Sequence, residues 1–490
     1  MPSGRRVHGA RKLRLFPLLA ATYFMVSGGP YDIEDIIGFG GYGRALLLIF
    51  FLPFFWSFPT ALMLGELASA VPAEGGFYAW VRRALGPFWS FPTALMLGEL
   101  ASAVPAEGGF YAWVRRALGP FWGFQEAWLS LASSVFDMAI YPTTFVLYLE
   151  RLAPALTTGH RALLLELAVI AAAVIWNLRG AAAVGEGSLK LWAISISPYV
   201  VLVGIAAYIG FLGNQGPFGG HASMAHPADA AFSTAVLVAM WNYMGWDNAT
   251  TVANEVENPQ RNYPRVVLLA VLMIMITYAI PIAAVAWAGI PSDRFSTGAW
   301  VDAARTLGGP ALAIAVVLAG VIDDFGTFSN LTMSYTRLPH ALAEDGLLPA
   351  IFTRKLQNGS PWVSVLACGL CWALALGLTF ERLITIDIAL WGLSLMLEFL
   401  ALVILRRKEP SLPRPFRIPG PDWVPILLGL GPAALIVYAL YASRMETVAG
   451  ISAFTFALTI ALLGVPLYLL AKFSNRHRPD TNTNDSGPHR

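Results

Sequence analysis

Acidic side chains inside long apolar stretches are the residues of this sequence best suited to chemistry. A charge at the centre of a bilayer costs roughly 3 kcal/mol or more, so such a residue usually marks a functional site. The candidates are Glu34, Asp35, Asp137, Asp247, Asp323, Asp324, Asp387 and Glu398. Because all are acids, they fit a cationic ligand or a proton relay better than an anionic ligand. For each one alone, a place near an interface or a hydroxyl partner is the alternative.

Two apolar segments are interrupted by glycine, proline and polar residues. The interruptions are SGGPYDIED at residues 27–35 and WNYMGWDNATT at residues 241–251. Proline removes a helical hydrogen bond, and broken backbone is tolerated in a membrane only where it faces protein or a wet cavity. Matched breaks in corresponding segments are typical of transporters built on an inverted repeat, whose free N–H and C=O groups bind anions and cations. Two kinks without a ligand are the alternative.

Aromatic side chains occur in and around both interruptions. Tyr31 belongs to the first, Trp241, Tyr243 and Trp246 belong to the second, and Tyr141 lies in the third apolar segment. An aromatic face attracts an ammonium group, so these residues are candidates to close over a ligand. Ordinary packing is the alternative for each of them.

Composition places these residues in a membrane. Of the 490 residues, 57% are hydrophobic and 13% are charged, with a mean hydropathy of +0.61. A soluble domain carries about 25% charged residues. The sequence therefore predicts an all-α polytopic membrane protein. The net charge of +2 comes without a basic block, so no nucleic-acid partner is expected.

Neither the cysteines nor the histidines form a catalytic or metal-binding pattern. The only two cysteines, Cys368 and Cys371, lie in an apolar run, where packing is favoured over a redox or metal pair. The 7 histidines fall in tails, in loops or near segment ends. We therefore expect no enzyme activity, catalytic residue, metal or cofactor. The expected partners are a small-molecule substrate, protons and the lipid bilayer.

Twelve apolar segments of helical length follow one another along the chain. They span residues 15–39, 44–70, 121–149, 161–178, 185–212, 231–255, 264–290, 308–338, 361–379, 383–405, 425–443 and 450–472. Lysine and arginine concentrate in the connections that are cytoplasmic if the N-terminus is inside, and the outer connection 213–230 has none. The pattern predicts twelve crossings with both termini cytoplasmic.

Residues 55–87 and 88–120 are identical copies of one sequence. An extra single crossing would turn every later basic connection outward, and the apolar residues 88–104 are too few for two crossings. We expect one copy to form the second segment and the other to lie on the cytoplasmic side or as a re-entrant or interfacial element. Recent DNA slippage or a sequence-assembly error is the alternative origin of the repeat.

The chain resembles the amino acid–polyamine–organocation (APC) transporters over about residues 15–472. The resemblance rests on SGGPYDIEDIIG, ELASAVPAEGGFYAWVRRALGPFWGFQEAW, WNYMGWDNATTVANEVENPQRNYPR, SYTRLPHALAEDGLLPAIF and LRRKEPSLPRPFRIPG. The pattern is nearest to the plant-type polyamine uptake branch, which lies near the L-type amino acid transporters. The resemblance implies a leucine-transporter-type fold, with a five-plus-five inverted repeat and broken first and sixth helices.

The resemblance also implies a substrate site at mid-membrane between the two breaks, with Trp241 as its lid. The expected substrate-binding residues are Ser27, Gly28, Gly29, Pro30, Tyr31, Glu34, Asp137, Tyr141, Trp241, Asn242, Tyr243, Gly245, Trp246 and Asp247. Backbone groups of residues 27–29 would hold a carboxylate or polar atoms of an amine. The acids Glu34, Asp137 and Asp247 would face an ammonium group.

Several residues are candidates for coupling transport to an ion. Some proton-coupled relatives place a lysine a few residues before the proline of the fifth helix, whereas here Ser195 precedes Pro198 and Lys190 lies further back. Lys190 is about one turn inside its segment. The alternative to a coupling role is that its long side chain extends to the cytoplasmic face of the membrane. The candidate coupling residues are Lys190, Ser195, Asp323, Asp324 and Glu398.

The expected organisation follows from these segments. A cytoplasmic tail at 1–14 precedes a first half at 15–212 and a second half at 231–405, and two further helices at 425–472 precede a disordered cytoplasmic tail at 473–490. The expected function is secondary active transport of amino acids, polyamines or related organic cations by proton-coupled symport across the plasma or inner membrane. An amino acid exchanger and a non-transporting amine sensor are the alternatives.

Overall fold

Helices dominate the part of the chain that the structure, a computed structural model, describes. That part comprises residues 13–70, 114–115, 117–213, 229–257, 259–408, 410, 417–445, 447–448 and 450–476. Its α-helices are α1 (Leu15–Val26), α2 (Glu34–Phe55), α3 (Ser57–Ala70), α4 (Pro120–Glu150), α5 (His160–Asn177), α6 (Ala181–Leu212), α7 (Asp229–Trp241), α8 (Pro259–Trp287), α9 (Trp300–Tyr335), α10 (Arg337–Glu344), α11 (Trp362–Trp372), α12 (Phe380–Lys408), α13 (Val424–Ala442) and α14 (Ala453–Arg476).

Shorter elements join these helices. Turns of 3-10 helix occupy residues 154–156, 246–255, 292–294, 350–353, 373–375 and 443–445. Between α13 and α14, the strands β1 (Thr447–Val448) and β2 (Ile451–Ser452) form an antiparallel ladder in which Thr447 faces Ser452.

Eight helices within the described residues are long and apolar enough to cross a membrane. They are Glu34–Leu64, His160–Asn177, Ala181–Leu212, Arg265–Trp287, Trp300–Glu344, Phe380–Lys408, Val424–Ala442 and Ala453–Phe473. The apolar helices Leu15–Val26 and Trp362–Ala375 are shorter. The expectation of an all-α, multi-pass membrane protein is thereby confirmed, whereas the number of twelve crossings stays a prediction.

Both predicted helix interruptions are confirmed. Helix α1 ends at Val26, residues 27–33 form no regular helix, and α2 starts at Glu34. Helix α7 ends at Trp241, and the chain resumes only as a 3-10 helix at 246–255. The predicted segment 231–255 is therefore α-helical only before its predicted break.

The two interruptions touch each other. Gly245 has a φ of 81°, and a Cβ at this position would collide with the carbonyl oxygen of Met25. Only glycine suits this close approach, because other residues are strained at such a φ and carry the colliding atom. The contact holds the end of α1 against the break after α7.

One further predicted boundary agrees with the structure and another differs. Helix α2 contains a non-helical residue at Gly41, near the predicted division between segments 15–39 and 44–70. Helix α9 begins at Trp300 rather than 308, because a buried first stretch precedes the kink at Gly309. The interior of the bundle is formed by α4, α9 and α12, with α12 packed along α4 and α9 packed along both α4 and α6.

Several predictions lie outside the described residues. The first copy of the repeat contributes α3, and the second copy ends where α4 begins, but residues 71–113 between them are not described. The predicted position of the extra copy therefore stays a prediction. The same holds for residues 1–12 of the N-terminal tail and 477–490 of the C-terminal tail.

Candidate functional site

A tyrosine of α8 joins the two interruptions. The hydroxyl of Tyr278 donates to Ser27 Oγ at 2.6 Å and lies 3.1 Å from both the carbonyl oxygen and the side-chain oxygen of Asn242. The side-chain amide of Asn242 in turn donates to the carbonyl oxygen of Asp32 at 3.2 Å. One polar network thus fixes the first break to the second.

The first cavity lies beside this network and is small, with room for about one water molecule. Its polar lining consists of Ser27, Tyr31, Asp32, Tyr141, Trp241, Asn242, Asp323, Asp324 and Thr327. Oxygen atoms of Asp32, Asp323 and Asp324 are buried there without a hydrogen-bond partner. The residues that line the cavity include no lysine, arginine or histidine. A buried group of carboxylates with free acceptors and no counter-charge is chemically suited to a cation.

The carboxyl group of Asp324 is positioned from two helices. Asp324 belongs to α9, and the hydroxyl of Thr144 in α4 donates to its Oδ1 at 2.6 Å. Its Oδ2 is among the unpartnered buried oxygens. Thr144 therefore fixes the side chain while one oxygen stays available to a ligand.

Asp323 lies directly against the first break. A Cβ on Gly28 would overlap the carboxylate of Asp323 and would lie 3.1 Å from Thr327 Oγ1. The next backbone N–H, of Gly29, donates to Ser27 Oγ at 3.1 Å. The backbone site predicted at residues 27–29 is therefore capped in part by its own serine and faces a carboxylate.

The second cavity is equally small and contains a different acid pair. Its lining includes Asp137, Tyr335, Asp387, Trp391 and Gly245. Asp137 Oδ1 accepts from Tyr141 at 3.0 Å and from the Trp241 indole at 3.4 Å, and its Oδ2 accepts from Tyr335 at 3.1 Å. Ser133 donates to Asp387.

Trp241, Tyr141 and Val26 line both cavities and form the wall between them. The ring centroids of Trp241 and Tyr141 are 6.0 Å apart with planes tilted by 32°. Asp137 and Thr144 lie seven residues apart on α4, which places them roughly 10 Å apart along the helix axis. Thr144, the residue that holds Asp324, is displaced from Asp137 along α4 by that distance.

Some predicted site residues lie outside both cavity linings. Glu34 accepts hydrogen bonds from the Tyr148 hydroxyl and from the Gly298 N–H, the latter at 3.1 Å. Asp35 accepts from the N–H and the hydroxyl of Thr297, both at 3.0 Å. These two acids join the start of α2 to the segment before α9.

Three residues of the second break also point away from the cavities. The Tyr243 hydroxyl donates to the carbonyl oxygen of Ile49 at 3.0 Å, and the Trp246 indole donates to the carbonyl oxygen of Tyr243 at 2.8 Å. Asp247 Oδ1 accepts from the indole of Trp391 at 3.3 Å, so Asp247 is linked to the second cavity through a cavity residue.

The candidate coupling residues are dispersed. Asp323 and Asp324 line the first cavity, whereas Lys190 is exposed on α6. The buried Ser195 places its carbonyl oxygen 3.2 Å from the hydroxyl of Tyr31. Glu398 is fully buried on α12, away from both cavity linings.

Sequence reasoning missed several residues of the site. Asp32 lines the first cavity with a φ of 61°, the one positive φ among the described non-glycine residues. Its position within the first predicted interruption, residues 27–35, was a signal that could have identified it. Thr144 was detectable as the residue two turns after Asp137 on the same helical face. Tyr278 and Tyr335 carried no local signal, because only the packing of α8 and α9 brings them to the breaks.

A helical membrane protein with two interrupted helices around buried acidic cavities has the architecture of a transporter. Residues 89–466, well over half of the chain, match the amino acid permease family, and residues 33–96 match a second family of the same description. The chain belongs to the amino acid permease family, within the APC superfamily. The predicted resemblance is thereby confirmed, and the chain is a transporter rather than an enzyme.

The similar proteins include several from plants. Polyamine transporter PUT1 of Oryza sativa is 29% identical over 89% of this chain and 75% of its own length. Probable polyamine transporter At3g19553 of Arabidopsis thaliana is 30% identical over 93% of this chain and 86% of its own length. Polyamine transporter RMV1 of Arabidopsis thaliana is 27% identical over 88% of this chain and 81% of its own length.

Proposed function

We propose that this chain is a secondary active transporter of cationic amines, and that polyamines suit its site better than amino acids. The observation that carries the proposal is the first cavity. There Asp32, Asp323 and Asp324 present unpartnered carboxylate oxygens beside the unwound residues 27–33. Unpaired buried charge is costly in a membrane, and an ammonium group would offset that cost.

A substrate carboxylate is poorly matched to the first break. An anion at residues 27–29 would lie beside Asp323, whose carboxylate touches Gly28. Two like charges in such a site repel each other, whereas an ammonium group would be attracted to it. This geometry favours an amine without a carboxylate over an α-amino acid.

The second cavity offers a position for a second ammonium group. Asp137 of the second cavity and Thr144, which holds Asp324 of the first, are roughly 10 Å apart along the axis of α4. An extended chain advances about 1.25 Å per bond, so spermidine, with about nine bonds between its end nitrogens, spans about 11 Å. Putrescine, with about five bonds, spans about 6 Å and would occupy one cavity at a time. The relatives named as polyamine transporters support this substrate class.

Trp241 would control passage between the cavities. Its ring packs edge-on to Phe380 with centroids 5.7 Å apart and lies beside Tyr141. In this arrangement the Trp241 and Tyr141 rings would contact the methylene chain of a bound polyamine, and the ring faces would attract its charged nitrogens. Opening of the wall would be one step of alternating access.

We place the fold in the five-plus-five inverted repeat. An inverted repeat relates each of the first five segments to the segment five later. It therefore relates the packing of α4 (segment 3) on α12 (segment 10) to that of α9 (segment 8) on α6 (segment 5). It likewise relates the packing of α7 (segment 6) on α2 (segment 2) to that of α1 (segment 1) on α8 (segment 7). This reciprocity supports two related halves at 15–212 and 231–405. The distribution of lysine and arginine supports twelve crossings with cytoplasmic termini in a plasma or inner membrane.

Transport assays in proteoliposomes test the substrate and the driving force together. Labelled spermidine, putrescine, arginine and leucine are offered with and without an imposed proton gradient. We expect spermidine to accumulate in response to the gradient and to be preferred over arginine. Uptake only in exchange for internal amino acid would favour the exchanger, and binding without uptake would favour the sensor. If none of the four binds or moves, the proposal fails.

A further inference from the structure

Two glutamates in the bundle interior are used by neither cavity. Glu126 of α4 and Glu398 of α12 are both 0% exposed. Glu126 Oε2 and both carboxyl oxygens of Glu398 are buried without a hydrogen-bond partner. Glu126 belongs to the GPFWGFQE stretch, and sequence reasoning gave it no role.

The register of α4 and α12 places these two carboxyl groups opposite each other. Ser130 Oγ and Ser394 Oγ are 2.9 Å apart, and Ser133 Oγ lies 3.4 Å from the carbonyl oxygen of Asp387. The residue number on α4 rises from Ser130 to Ser133 while the number of the contacted residue on α12 falls from Ser394 to Asp387. The two helices therefore run antiparallel. Glu126 is four residues before Ser130 and Glu398 is four residues after Ser394, so both lie one turn beyond the serine contact on the same side.

The serines hold one carboxylate and leave the other free. Ser130 and Ser394 both lie 2.8 Å from Glu126 Oε1, as donors to that oxygen. Glu398 receives no such donor and has both oxygens unpartnered. The pair therefore combines a positioned acceptor with a fully buried, unpartnered acid.

Among the described residues, the charged groups around the pair do not neutralise it. Asp247 acts electrostatically on both glutamates, and it is an acid. On α12, Arg406 is the nearest base toward the C-terminal end, and it is bound to Glu66 of α3 and to the carbonyl oxygen of Ile418. The other acids that face α4 and α12 near this level, Asp137 and Asp387, lie further along the helices at the second cavity. Two adjacent unpaired negative charges are very costly here, so the pair requires a bound cation.

We infer that Glu126 and Glu398 form a proton-binding site that is separate from the substrate cavities. This inference rests on the proposed transport function. A proton on either carboxyl group leaves one negative charge on the pair, and its release restores the charge that the next proton neutralises. Along α12, the site lies between Trp391 of the second cavity and Arg406 of the ion pair with Glu66, toward the end that the predicted topology places in the cytoplasm. Trp391 also binds Asp247, which links the pair to the second break.

The test separates coupling from substrate movement. Wild-type protein, Glu126→Gln and Glu398→Gln are reconstituted in proteoliposomes, with Glu166→Gln on α5 as the matched control. We expect both variants to lose at least tenfold in spermidine accumulation driven by a proton gradient, and to lose substrate-evoked proton flux. Their spermidine counterflow, which needs no net proton movement, is expected to stay within about threefold of wild type. Wild-type coupling in either variant would overturn the inference, as would wild-type accumulation driven by sodium and not by protons.

A second measurement tests the site without transport. Infrared difference spectra of the full chain record protonated carboxyl groups as the pH is raised. We expect a buried protonated-carboxyl band in wild type that Glu398→Gln removes and Glu166→Gln leaves in place. An unchanged band in Glu398→Gln would overturn the proton site even if transport were intact. If wild-type protein transports no amine but Glu398→Gln still removes this band, the proposed function is rejected and the proton site is retained.

Discussion

Replacement of Asp324 by asparagine tests the acidic first cavity in the most specific way. The change keeps the shape of the side chain and the acceptor that Thr144 binds at 2.6 Å, but it removes the negative charge. Asp324 Oδ2 is the oxygen left free for a ligand. A hydrogen bond to a charged group contributes about 1.5–3 kcal/mol, and a tenfold change in affinity corresponds to about 1.4 kcal/mol. The Kd for spermidine is therefore expected to rise roughly 10- to 100-fold.

Equilibrium binding of labelled spermidine to the purified protein in detergent measures this change. Asp293→Asn, at an exposed position between α8 and α9, is the matched control and is expected to bind as wild type does. Thr144→Val keeps the charge and loses one neutral donor, so a smaller increase of about tenfold or less is expected. An Asp324→Asn protein that is folded and binds spermidine with unchanged affinity would refute the assignment of the first cavity to an ammonium group.

Other perturbations address the breaks, the wall between the cavities and the repeat. Gly28→Ala would place a methyl group on the carboxylate of Asp323 and is expected to reduce uptake more than tenfold, whereas Gly43→Ala, with open space around it, should transport normally. Tyr278→Phe removes the contacts to both breaks, and the initial uptake rate is expected to fall severalfold while the protein stays folded by size-exclusion chromatography. Trp241→Ala should raise the KM for spermidine at least tenfold, with partial retention in Trp241→Phe; unchanged uptake would reject the wall role. Deletion of residues 88–120 is expected to preserve or improve folding and uptake, and a loss of both would show that the second copy has a function.

Sequence reasoning located the two breaks because proline, paired glycines and polar residues are rare inside apolar segments of this length. The acids were recognised for the same reason, since charge in an apolar segment stands out against its neighbours. The sequence could not distinguish acids that face a cavity from acids that bind a neighbouring helix. Glu34 and Asp324 have similar surroundings in the sequence, yet Glu34 accepts from Gly298 and Asp324 lines the first cavity.

Long-range packing decides the remaining parts of the site. Tyr278 reaches Ser27 from a position 251 residues away in the chain, and no local pattern reports such a contact. The pairing of Glu126 with Glu398 likewise depends on the antiparallel register of α4 and α12, which the serine contact fixes. Helix ends were also displaced, as at α9, because burial extended a helix past the kink at Gly309.

The repeat has one further consequence for comparison with relatives. The longer family match begins at residue 89, inside the second copy, and the shorter one ends at residue 96 of that copy. The two matches therefore overlap at residues 89–96, within the duplicated sequence. That one copy completes the family pattern and the other is additional stays a prediction.

A cryo-electron microscopy map of the full chain with spermidine would show where the polyamine binds. We expect elongated density between the two breaks, with one end nitrogen at Asp323 and Asp324, the methylene chain beside Trp241, and the other end at Asp137. A map of the protein with arginine should show no substrate carboxylate at Gly28. Spermidine density confined to another part of the protein, or an arginine carboxylate bound at Gly28, would contradict the account.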